Sequence, residues 1–319
     1  MSPRPVPNFV SYAQNFEDVI LWRALQHVRN GFYIDIGALD PLIDSVSLAF
    51  YERGWRGVHV EPVPRNASEL RKNRPDEEVL EVLVAATAGR HTLYEVPLTG
   101  LSTAEADVAA LHSSVGYQVQ PIEVTAIRLS DILDRYAEKE IHWLKIDVEG
   151  LENQVIDSWA PSQARPWIVV VEATMPLSQA PSHHVWEPKL EKLGYKFVYF
   201  DGLNRFYLHR NHFEFLDRFG PGPNIFDDFC LGGKSSAPFV AQFVNKIEND
   251  AIHLAQIEAR NKQLETKLET KLASLKQLKT KLASLYKSRS WKITGWLRRL
   301  NKLRAAVVKQ LSPVSGVED

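Results

Sequence analysis

The sequence predicts an α/β fold, in which crossover helices cover a mostly parallel sheet, followed by a long α-helical coiled coil. Short runs rich in β-branched and aromatic residues alternate with helical patterns up to about residue 210. Beyond residue 245 the pattern changes to an uninterrupted helical heptad. Hydrophobic residues make up 45% of the chain and charged residues 24%, which excludes a wholly disordered, collagen-like or disulfide-scaffold protein.

Seven runs are predicted to be strands, because their Val and Ile content lacks the polar alternation of a half-exposed sheet. They lie at 32–37, 57–62, 79–85, 142–148, 167–173, 196–201 and 204–210. Only Gly202 and Leu203 separate the last two runs, which is too short a connection for a helix. These two strands should therefore form an antiparallel hairpin at one edge of the sheet.

Helical patterns occupy most of the connections between these strands. We expect helices at 44–53, 64–73, 129–138, 151–159 and 184–193. The connection from about 89 to 124 lacks a clear crossover helix. We interpret this connection as an inserted lid or hairpin region.

Residues 245–286 contain no proline or glycine and show a heptad pattern. Eight of the ten seam positions are apolar, with the a series beginning at Leu254 and the d series at Ile257. Five sustained heptads favour a coiled coil over a single amphipathic helix that lies on the domain. Asn261, at an a position, would fix the register. We therefore expect a homo-oligomer, either a parallel dimer or a parallel trimer.

Residues 287–319 are predicted to form a basic amphipathic tail. Residues 287–309 contain eight Lys and Arg and no acidic residue, and a helix would align Trp296, Leu300, Leu303 and Val307 in one stripe. This pattern is typical of a helix at a membrane interface. Nucleic acid is the competing partner for the charge. Tryptophans and a continuous apolar stripe suit a lipid boundary better than a phosphate backbone, so we expect no nucleic-acid binding.

The charge distribution also divides the chain. Residues 236–319 contain 16 Lys and Arg against 7 Asp and Glu, whereas residues 1–235 contain 22 against 32. We therefore expect a domain at 1–235, the coiled coil at 245–286 and the tail at 287–319. The chain has a single cysteine, Cys230, and no apolar run that resembles a signal peptide or a membrane span. These features predict a cytoplasmic protein. The tail predicts that this protein is peripheral at the inner membrane.

Acidic residues recur where the predicted strands end. Ligands of such sheets bind beyond the carboxyl ends of the strands. A single carboxylate there is more often a helix cap, but a recurring set outlines an acidic crescent suited to hydroxyl-rich, cationic or metal-bound ligands. The set consists of Asp35, Glu61, Asp147, Glu149, Glu172 and Asp201.

The turn after the first predicted strand indicates an adenosyl ligand. Gly37 would let a ligand approach the backbone, and Glu61, at the end of the next strand, is placed to bind both ribose hydroxyls. Nicotinamide and S-adenosylmethionine sites share this pairing. The turn lacks the GxGxxG that a pyrophosphate requires, and Asp40 would repel a pyrophosphate but tolerate a sulfonium. We therefore favour S-adenosylmethionine. Gln14 and Glu17 either face its amino-acid end or cap the first helix.

Six ordered blocks, covering roughly residues 10–230, resemble the FkbM family of S-adenosylmethionine-dependent methyltransferases. They read SYAQNFEDVILWRAL, FYIDIGA, RGWRGVHVEPVP, LKIDVEGLE, PWIVVVEAT and FDGLNRFYL. The resemblance implies a Rossmann-like seven-stranded methyltransferase sheet with an antiparallel edge hairpin, and methylation of sugar or natural-product hydroxyls. Many members have a second glycine where this chain has Leu39 and Asp40. Ser45, at the expected start of a helix, is the candidate that replaces the missing glycine contact to S-adenosylmethionine. Asp35 and Asp147 are further candidates for binding this methyl donor.

Methyl transfer to an alcohol requires a group that removes the hydroxyl proton. Asp147 is the candidate base, with Glu149 and Glu172 close by. An ordinary carboxylate is too weak a base for this task, which leaves two alternatives. Crowded like charges could raise the pKa of the carboxylate. A divalent cation such as Mg²⁺, held by Asp147 and Glu172, could instead lower the pKa of the hydroxyl. His183 or His184 is an alternative base, although a solvent-exposed pair explains them equally well.

The tail adds a second resemblance. Its segment SRSWKITGWLRRL is similar to a Ser-x-Ser-Trp-Arg-x-Thr-x-Pro-Leu-Arg motif on bacterial surface-polysaccharide glycosyltransferases, with Trp296 in place of the usual proline. The resemblances together imply O-methylation of a sugar hydroxyl on a surface polysaccharide or lipid-linked glycan. The alternative is a non-catalytic scaffold that recruits glycosyltransferases through the coiled coil.

Overall fold

A computed structural model describes residues 9–311, and the side chains of residues 9–306. The chain divides between Lys246 and Ile247 into two compact units. The strands are β1 (Phe9–Ser11), β2 (Phe32–Ile36), β3 (Arg56–Val60), β4 (Glu78–Leu80), β5 (Leu83–Val84), β6 (Gly89–Glu95), β7 (Gln120–Ile127), β8 (Trp143–Ile146), β9 (Ile168–Glu172), β10 (Tyr195–Phe200), β11 (Asn204–His209) and β12 (Phe229–Leu231). The helices are α1 (Glu17–Leu25), α2 (Leu48–Tyr51), α3 (Pro64–Asn73), α4 (Ala106–Ser114), α5 (Leu129–Arg135), α6 (Glu152–Asp157), α7 (Glu187–Lys192), α8 (Ala241–Lys287), α9 (Arg289–Ile293) and α10 (Gly295–Leu311).

The first unit is built around a seven-stranded sheet of order β10-β11-β9-β8-β2-β3-β4. The five strands from β9 to β4 are parallel, whereas β11 runs antiparallel to both of its neighbours. The predicted α/β class with a mostly parallel sheet is therefore confirmed. The β10–β11 hairpin lies at the edge, as the two-residue connection predicts.

Both faces of the sheet are covered, which explains the unbroken apolar runs. Side chains of α5, α6 and α7 pack against one face. Side chains of α1 and α2 pack against the other face, where Tyr33 and Trp143 stack with ring centroids 4.4 Å apart. Because successive side chains of a strand alternate between faces, Asp35 and Lys145 lie on the α1 face, two residues beyond this aromatic pair.

The region between the third and fourth predicted strands differs from its expectation. The run 79–85 is divided between β4 in the main sheet and β5 in a separate sheet of order β5-β7-β6. The antiparallel pair of β6 and β7 accounts for the expected hairpin. The helix α4 between them was not predicted. Its only buried residues are Ala109 and His112, so it has no apolar stripe that a periodicity search detects.

The described part of the second unit consists of most of α8 together with α9 and α10, with single non-helical residues at Ser288 and Thr294 between them. The helix α8 is continuous over 47 residues and includes the predicted coiled-coil segment. Its seam residues are exposed in the single chain, for example Leu254 at 60% and Leu278 at 61%. None of the helices within residues 9–311 combines the length and the apolarity needed to cross a membrane. Residues 312–319 of the predicted tail, and the side chain of Val307, lie outside the described part.

Candidate active site

The turns that follow β2 and β8 touch each other at the carboxyl ends of the strands. Gly37 has a φ of +81°, and a Cβ on it would lie 1.8 Å from the backbone oxygen of Asp147. The Asp147 amide also donates to the Ile36 carbonyl oxygen at 3.1 Å. The expectation that Gly37 leaves room for a ligand is therefore wrong, because the backbone of Asp147 fills that space. Glycine is required here so that the two turns can meet.

Three carboxylates converge at this edge. Oxygens of Asp147, Glu149 and Glu172 all lie within 4.8 Å of one another. Glu149 has a φ of +49°, a left-handed conformation that is unfavourable for a residue with a side chain. Its backbone oxygen accepts a 2.8 Å hydrogen bond from the Thr103 hydroxyl. We call Asp147, Glu149 and Glu172 the carboxylate cluster.

The carboxylate cluster contains two groups with altered acidity. Burial, followed by repulsion from Asp147, raises the pKa of Glu149 to about 8. The same two causes raise the pKa of Glu172 well above its ordinary value. Groups that titrate near neutral pH are effective proton acceptors, because they combine basicity with availability. Burial is the main cause of both raised pKa values, and repulsion between the carboxylates adds to it.

Lys145 is a site residue that the sequence analysis missed. This buried residue donates from Nζ to Oδ2 of Asp147 at 2.5 Å. Burial opposes its charge, but the Asp147 and Asp35 carboxylates raise the pKa of Lys145 above its usual value. The signal was present in LKIDVEG, since residues two apart in a strand share a face and Lys145 therefore points to the same side as Asp147.

Asp35 occupies the position opposite Lys145 in the register of β2 and β8. Its side chain is buried, with 3% of the residue exposed, and its Oδ1 atom has no hydrogen-bond partner among the described residues. Buried carboxylate oxygens are rarely left without a donor. Asp35 is therefore a candidate for accepting a hydrogen bond from a ligand.

Glu61 connects the turn after β2 to the start of α3. Its Oε2 accepts from the Leu39 amide at 3.0 Å, and its Oε1 accepts from the Val63 amide at 2.9 Å. Burial raises the pKa of Glu61 to about 7. Asn66 Nδ2 also donates to Oε1, at 3.4 Å. A carboxylate has about four acceptor positions, so these three bonds leave about one for a ligand hydroxyl. The Oδ1 atom of Asp40 accepts from the amides of Leu42 and Ile43, which stabilises the turn after β2.

Glu17 and Gln14 have different surroundings. Glu17 is buried at the start of α1, where Oε2 accepts from the Asn15 amide at 2.8 Å and Oε1 accepts from Asn204 Nδ2 at 2.9 Å. Burial and the nearby Asp201 raise the pKa of Glu17 to about 8. Gln14 is exposed. The Asn15 amide precedes the helix, and α1 has no side-chain hydrogen bond at its N-cap, so this bond does not cap the helix.

Asn204 is a second residue that the sequence analysis missed. It pairs with Glu172 in the register of β11 and β9, so the two residues are neighbours on the same face. Its Nδ2 donates to Glu17 and also to Asp201 Oδ2, at 3.1 Å. Asn204 therefore connects the first helix to the strand that carries Glu172. It lies in the FDGLNRFYL block, which was its only signal.

The expected position of Ser45 at a helix N-cap is wrong. Asp44 has a φ of +55°, which interrupts the predicted helix, and α2 begins only at Leu48. Ser45 is buried, and its hydroxyl oxygen lies 3.3 Å from the Ser47 hydroxyl oxygen. Ser45 is therefore not available as a capping group.

The two histidines form a separate pair in a short 3₁₀ turn before α7. Their rings lie 4.1 Å apart, and His183 Nε2 is 3.8 Å from a Glu187 oxygen. Burial, followed by the nearby Arg205, lowers the pKa of His183, and His184 is exposed. Within the described residues, no ion pair or hydrogen bond links His183 or His184 to the carboxylate cluster. For His184, the alternative of a solvent-exposed residue fits better than a role as the catalytic base.

The carboxylate cluster has the donor set that hard divalent cations use. Oxygen ligands suit Mg²⁺ or Ca²⁺. The cluster adds Glu149 to the expected pair of Asp147 and Glu172. Lys145 already supplies one positive charge to Asp147, so a divalent cation would have to displace the protons that the raised pKa values keep on Glu149 and Glu172 near neutral pH.

No curated protein matches the chain. A solved structure of the O-methyltransferase from Bacillus cereus in complex with SAH is similar at 13% sequence identity, over 64% of this chain and 84% of that chain, with a TM-score of 0.31. The family model described as the methyltransferase FkbM domain matches residues 35–197, just over half of the chain. The first and last of the six sequence blocks lie outside this range. The chain belongs to the FkbM methyltransferase domain family.

Proposed function

We propose that the protein is an S-adenosylmethionine-dependent O-methyltransferase that acts on a sugar hydroxyl. The observation that carries the proposal is that the residues matched by the family model include most of the acidic residues of the candidate active site. The family match over residues 35–197 begins at Asp35 and contains Glu61 and the whole carboxylate cluster. The matched range thus contains the strand ends that bring these acidic residues to one edge of the sheet.

Two buried carboxylates are assigned to the methyl donor. Glu61 is assigned to the ribose, because it keeps about one acceptor position for a hydroxyl beyond its three bonds within the protein. Asp35 is assigned to a donor group of the same ligand through its unpartnered Oδ1 atom. When bound, S-adenosylmethionine supplies a methyl group on a positively charged sulfur. The acidic surroundings favour that charge.

The carboxylate cluster is assigned to the acceptor. Transfer would form a bond between the acceptor oxygen and the methyl carbon while the bond between the methyl carbon and the donor sulfur breaks, so that S-adenosylhomocysteine leaves and the hydroxyl proton passes to a carboxylate. Glu149, with its pKa of about 8, is the strongest candidate for receiving that proton, while the ammonium group of Lys145 holds Asp147 in place. This assignment moves the base from Asp147, the expected residue, to its neighbour.

Calorimetry with S-adenosylhomocysteine tests the donor site. We expect Glu61→Gln to weaken binding by roughly tenfold to a hundredfold, because hydrogen bonds to a charged group contribute about 1.5–3 kcal/mol. Glu69→Gln, on the exposed surface of α3, is the matched control and should leave affinity unchanged. Absence of binding to the wild-type protein would instead favour the scaffold that recruits glycosyltransferases.

A divalent cation such as Mg²⁺ is a second ligand that we propose for the carboxylate cluster. It would be held by Asp147, Glu149 and Glu172, and it would lower the pKa of a bound hydroxyl. Titration with Mg²⁺ in the calorimeter, without other ligands, tests this directly. Heat that saturates in the wild type and disappears in Glu172→Gln supports the site. Unchanged activity after exhaustive chelation would exclude a catalytic cation.

The second unit supports a further proposal about the oligomeric state of the protein and its location in the cell. Exposed apolar residues of α8 favour a parallel homo-oligomer, and α10 presents Trp296, Leu300 and Leu303 at 61%, 54% and 64% exposure beside basic residues. We therefore propose a cytoplasmic protein, peripheral at the inner membrane, that modifies a surface polysaccharide or lipid-linked glycan beside a glycosyltransferase.

A further inference from the structure

Two loops that border the carboxylate cluster contain the same unusual turn. In Val96-Pro97-Leu98-Thr99 the Thr99 amide donates to the Val96 oxygen at 3.3 Å, and in Met175-Pro176-Leu177-Ser178 the Ser178 amide donates to the Met175 oxygen at 3.0 Å. Proline is second in both turns, and the third residue has a positive φ, +64° at Leu98 and +56° at Leu177. These are features of a type II turn, whose third position normally requires glycine or asparagine.

Leucine at these positions is unfavourable in two ways. A side chain in the left-handed region costs roughly 1 kcal/mol, and each leucine also exposes apolar surface. Leu98 is 86% exposed and Leu177 is 51% exposed. Neither leucine is needed for burial in the core, so folding does not explain why this residue type occupies both turns.

Both loops contact the backbone that carries Glu149. The first loop is tied to it through the bond from the Thr103 hydroxyl to the Glu149 oxygen. The second loop begins directly after Glu172, and a methyl group added at Gly150 would lie 4.0 Å from Pro176 Cγ. Each loop is also closed by bonds of its own, including one from the Met175 amide to the Ala180 oxygen at 2.7 Å. The leucines therefore lie in ordered turns of two loops whose other residues, Thr103 and Pro176, adjoin the segment that carries Glu149.

The two loops carry no charge. Residues 96–104 and 173–182 contain no Asp, Glu, Lys, Arg or His, only apolar residues and side chains such as Ser, Thr and Gln. The cation beside the carboxylate cluster, Lys145, is already paired with Asp147 and is not free to bind a phosphate or carboxylate of a ligand. An uncharged apolar rim beside polar groups is the usual composition of a site for a neutral amphiphilic molecule.

We infer that the acceptor is a neutral molecule with an alkyl group next to the hydroxyl that is methylated, and that Leu98 and Leu177 bind this alkyl group. The inference rests on the proposed function, because it names the acceptor class for the same site. It adds an apolar part of the acceptor, with two named residues that contact it.

Binding of a matched pair of glycosides tests this inference. The probes are methyl β-D-glucopyranoside and octyl β-D-glucopyranoside below its micelle concentration, titrated into the full chain. Because they share one sugar, the ratio of their affinities isolates the alkyl chain. We expect the wild type to bind the octyl glycoside about tenfold more tightly, and Leu98→Asn with Leu177→Asn to reduce this preference to about twofold.

Asparagine is chosen because it tolerates the left-handed conformation, so the thermal midpoint should not fall. Ile225→Asn is the matched control, since Ile225 is 88% exposed in a different loop and its replacement should keep the preference. S-adenosylhomocysteine binding is measured separately, and its absence would count against the proposed function alone. Equal affinity for the two glycosides, no binding of the octyl glycoside, or a preference that survives the double substitution would overturn the inference. Binding to neutral phosphatidylcholine vesicles that the double substitution abolishes would also overturn it, because the leucines would then bind a bilayer.

Discussion

Lys145 balances the charges of the candidate site. Its ammonium group contacts Asp147 directly, and Asp35 and Glu17 also interact with it electrostatically. A buried cation among carboxylates is stabilised only while all of its partners are present. The arrangement explains how a folded protein holds several acidic side chains at one edge of its sheet.

Lys145→Met should lower the free energy of unfolding by about 3 kcal/mol, because it leaves buried carboxylates without their cation. Urea denaturation at neutral pH measures this loss. Lys192→Met, at the end of α7, is the control and should change stability by less than about 0.5 kcal/mol. A Lys145→Met protein as stable as the wild type would show that the ion pair contributes nothing to the fold.

Glu149 should make stability depend on pH. Its pKa is raised from about 4.5 to about 8 in the folded protein, so folding favours the protonated form. The resulting stabilisation is fully present below about pH 4.5 and is lost as the pH rises to 8. Glu149→Gln, which cannot ionise, should therefore be stabilised relative to the wild type by about 3 kcal/mol more at pH 8.5 than at pH 5.5. Urea titrations measure the free energy of unfolding of both proteins at the two pH values. The same difference between Glu149→Gln and the wild type at both pH values would contradict this prediction.

The sequence located the acidic side chains but not their neighbours. Asp147 and Glu172 were predictable because each follows a strand that its apolar run reveals. Lys145 and Asn204 were not, because their importance depends on which strands lie side by side: β8 beside β2, and β11 beside β9. Gly37 was singled out for the wrong reason, since only the structure shows that the Asp147 backbone occupies the space beside it.

Helices and strands were predictable where a long periodic pattern existed. The helix α3 occupies the expected residues, Pro64–Asn73, and begins with a proline that suits the first turn. The helix α4 has no apolar stripe and was missed, and α2 is shorter than expected because Asp44 adopts a left-handed conformation. Local backbone conformation and weak amphipathicity are thus the two physical reasons for these differences.

The seam of α8 leads to a prediction about oligomerisation. Leu268 and Leu275 are 69% and 62% exposed in the single chain and occupy a positions of the heptad. Leu268→Asp with Leu275→Asp should convert the homo-oligomer to a monomer, because buried carboxylates at the seam would repel each other. Sedimentation velocity of the full chain reads out the mass. Thr270→Asp with Lys276→Asp changes positions off the seam and should leave the oligomer intact. A wild-type protein that sediments as a monomer would exclude the coiled coil.

The molecule combines two parts of opposite charge, and the basic part should bind anionic lipid. Deletion of residues 287–319 should abolish sedimentation with phosphatidylglycerol vesicles, since it removes the exposed stripe of α10 and its basic residues. Trp296→Glu in the full chain is a smaller change that should weaken binding in the same direction. Neutral vesicles serve as the control. Vesicle binding that survives the deletion would assign the membrane contact to another surface.

Transfer of a labelled methyl group tests the proposed reaction most directly. The protein is incubated with S-adenosylmethionine that carries a trideuterated methyl group and with surface glycan from a strain that lacks the protein. Mass spectrometry should find a trideuteromethyl ether on one sugar hydroxyl with the wild type. Glu149→Gln should slow its formation by at least about a hundredfold, because removal of a proton-accepting group typically costs this much. No labelled ether with the wild type, or undiminished labelling with Glu149→Gln, would contradict the assignment of the carboxylate cluster to hydroxyl methylation.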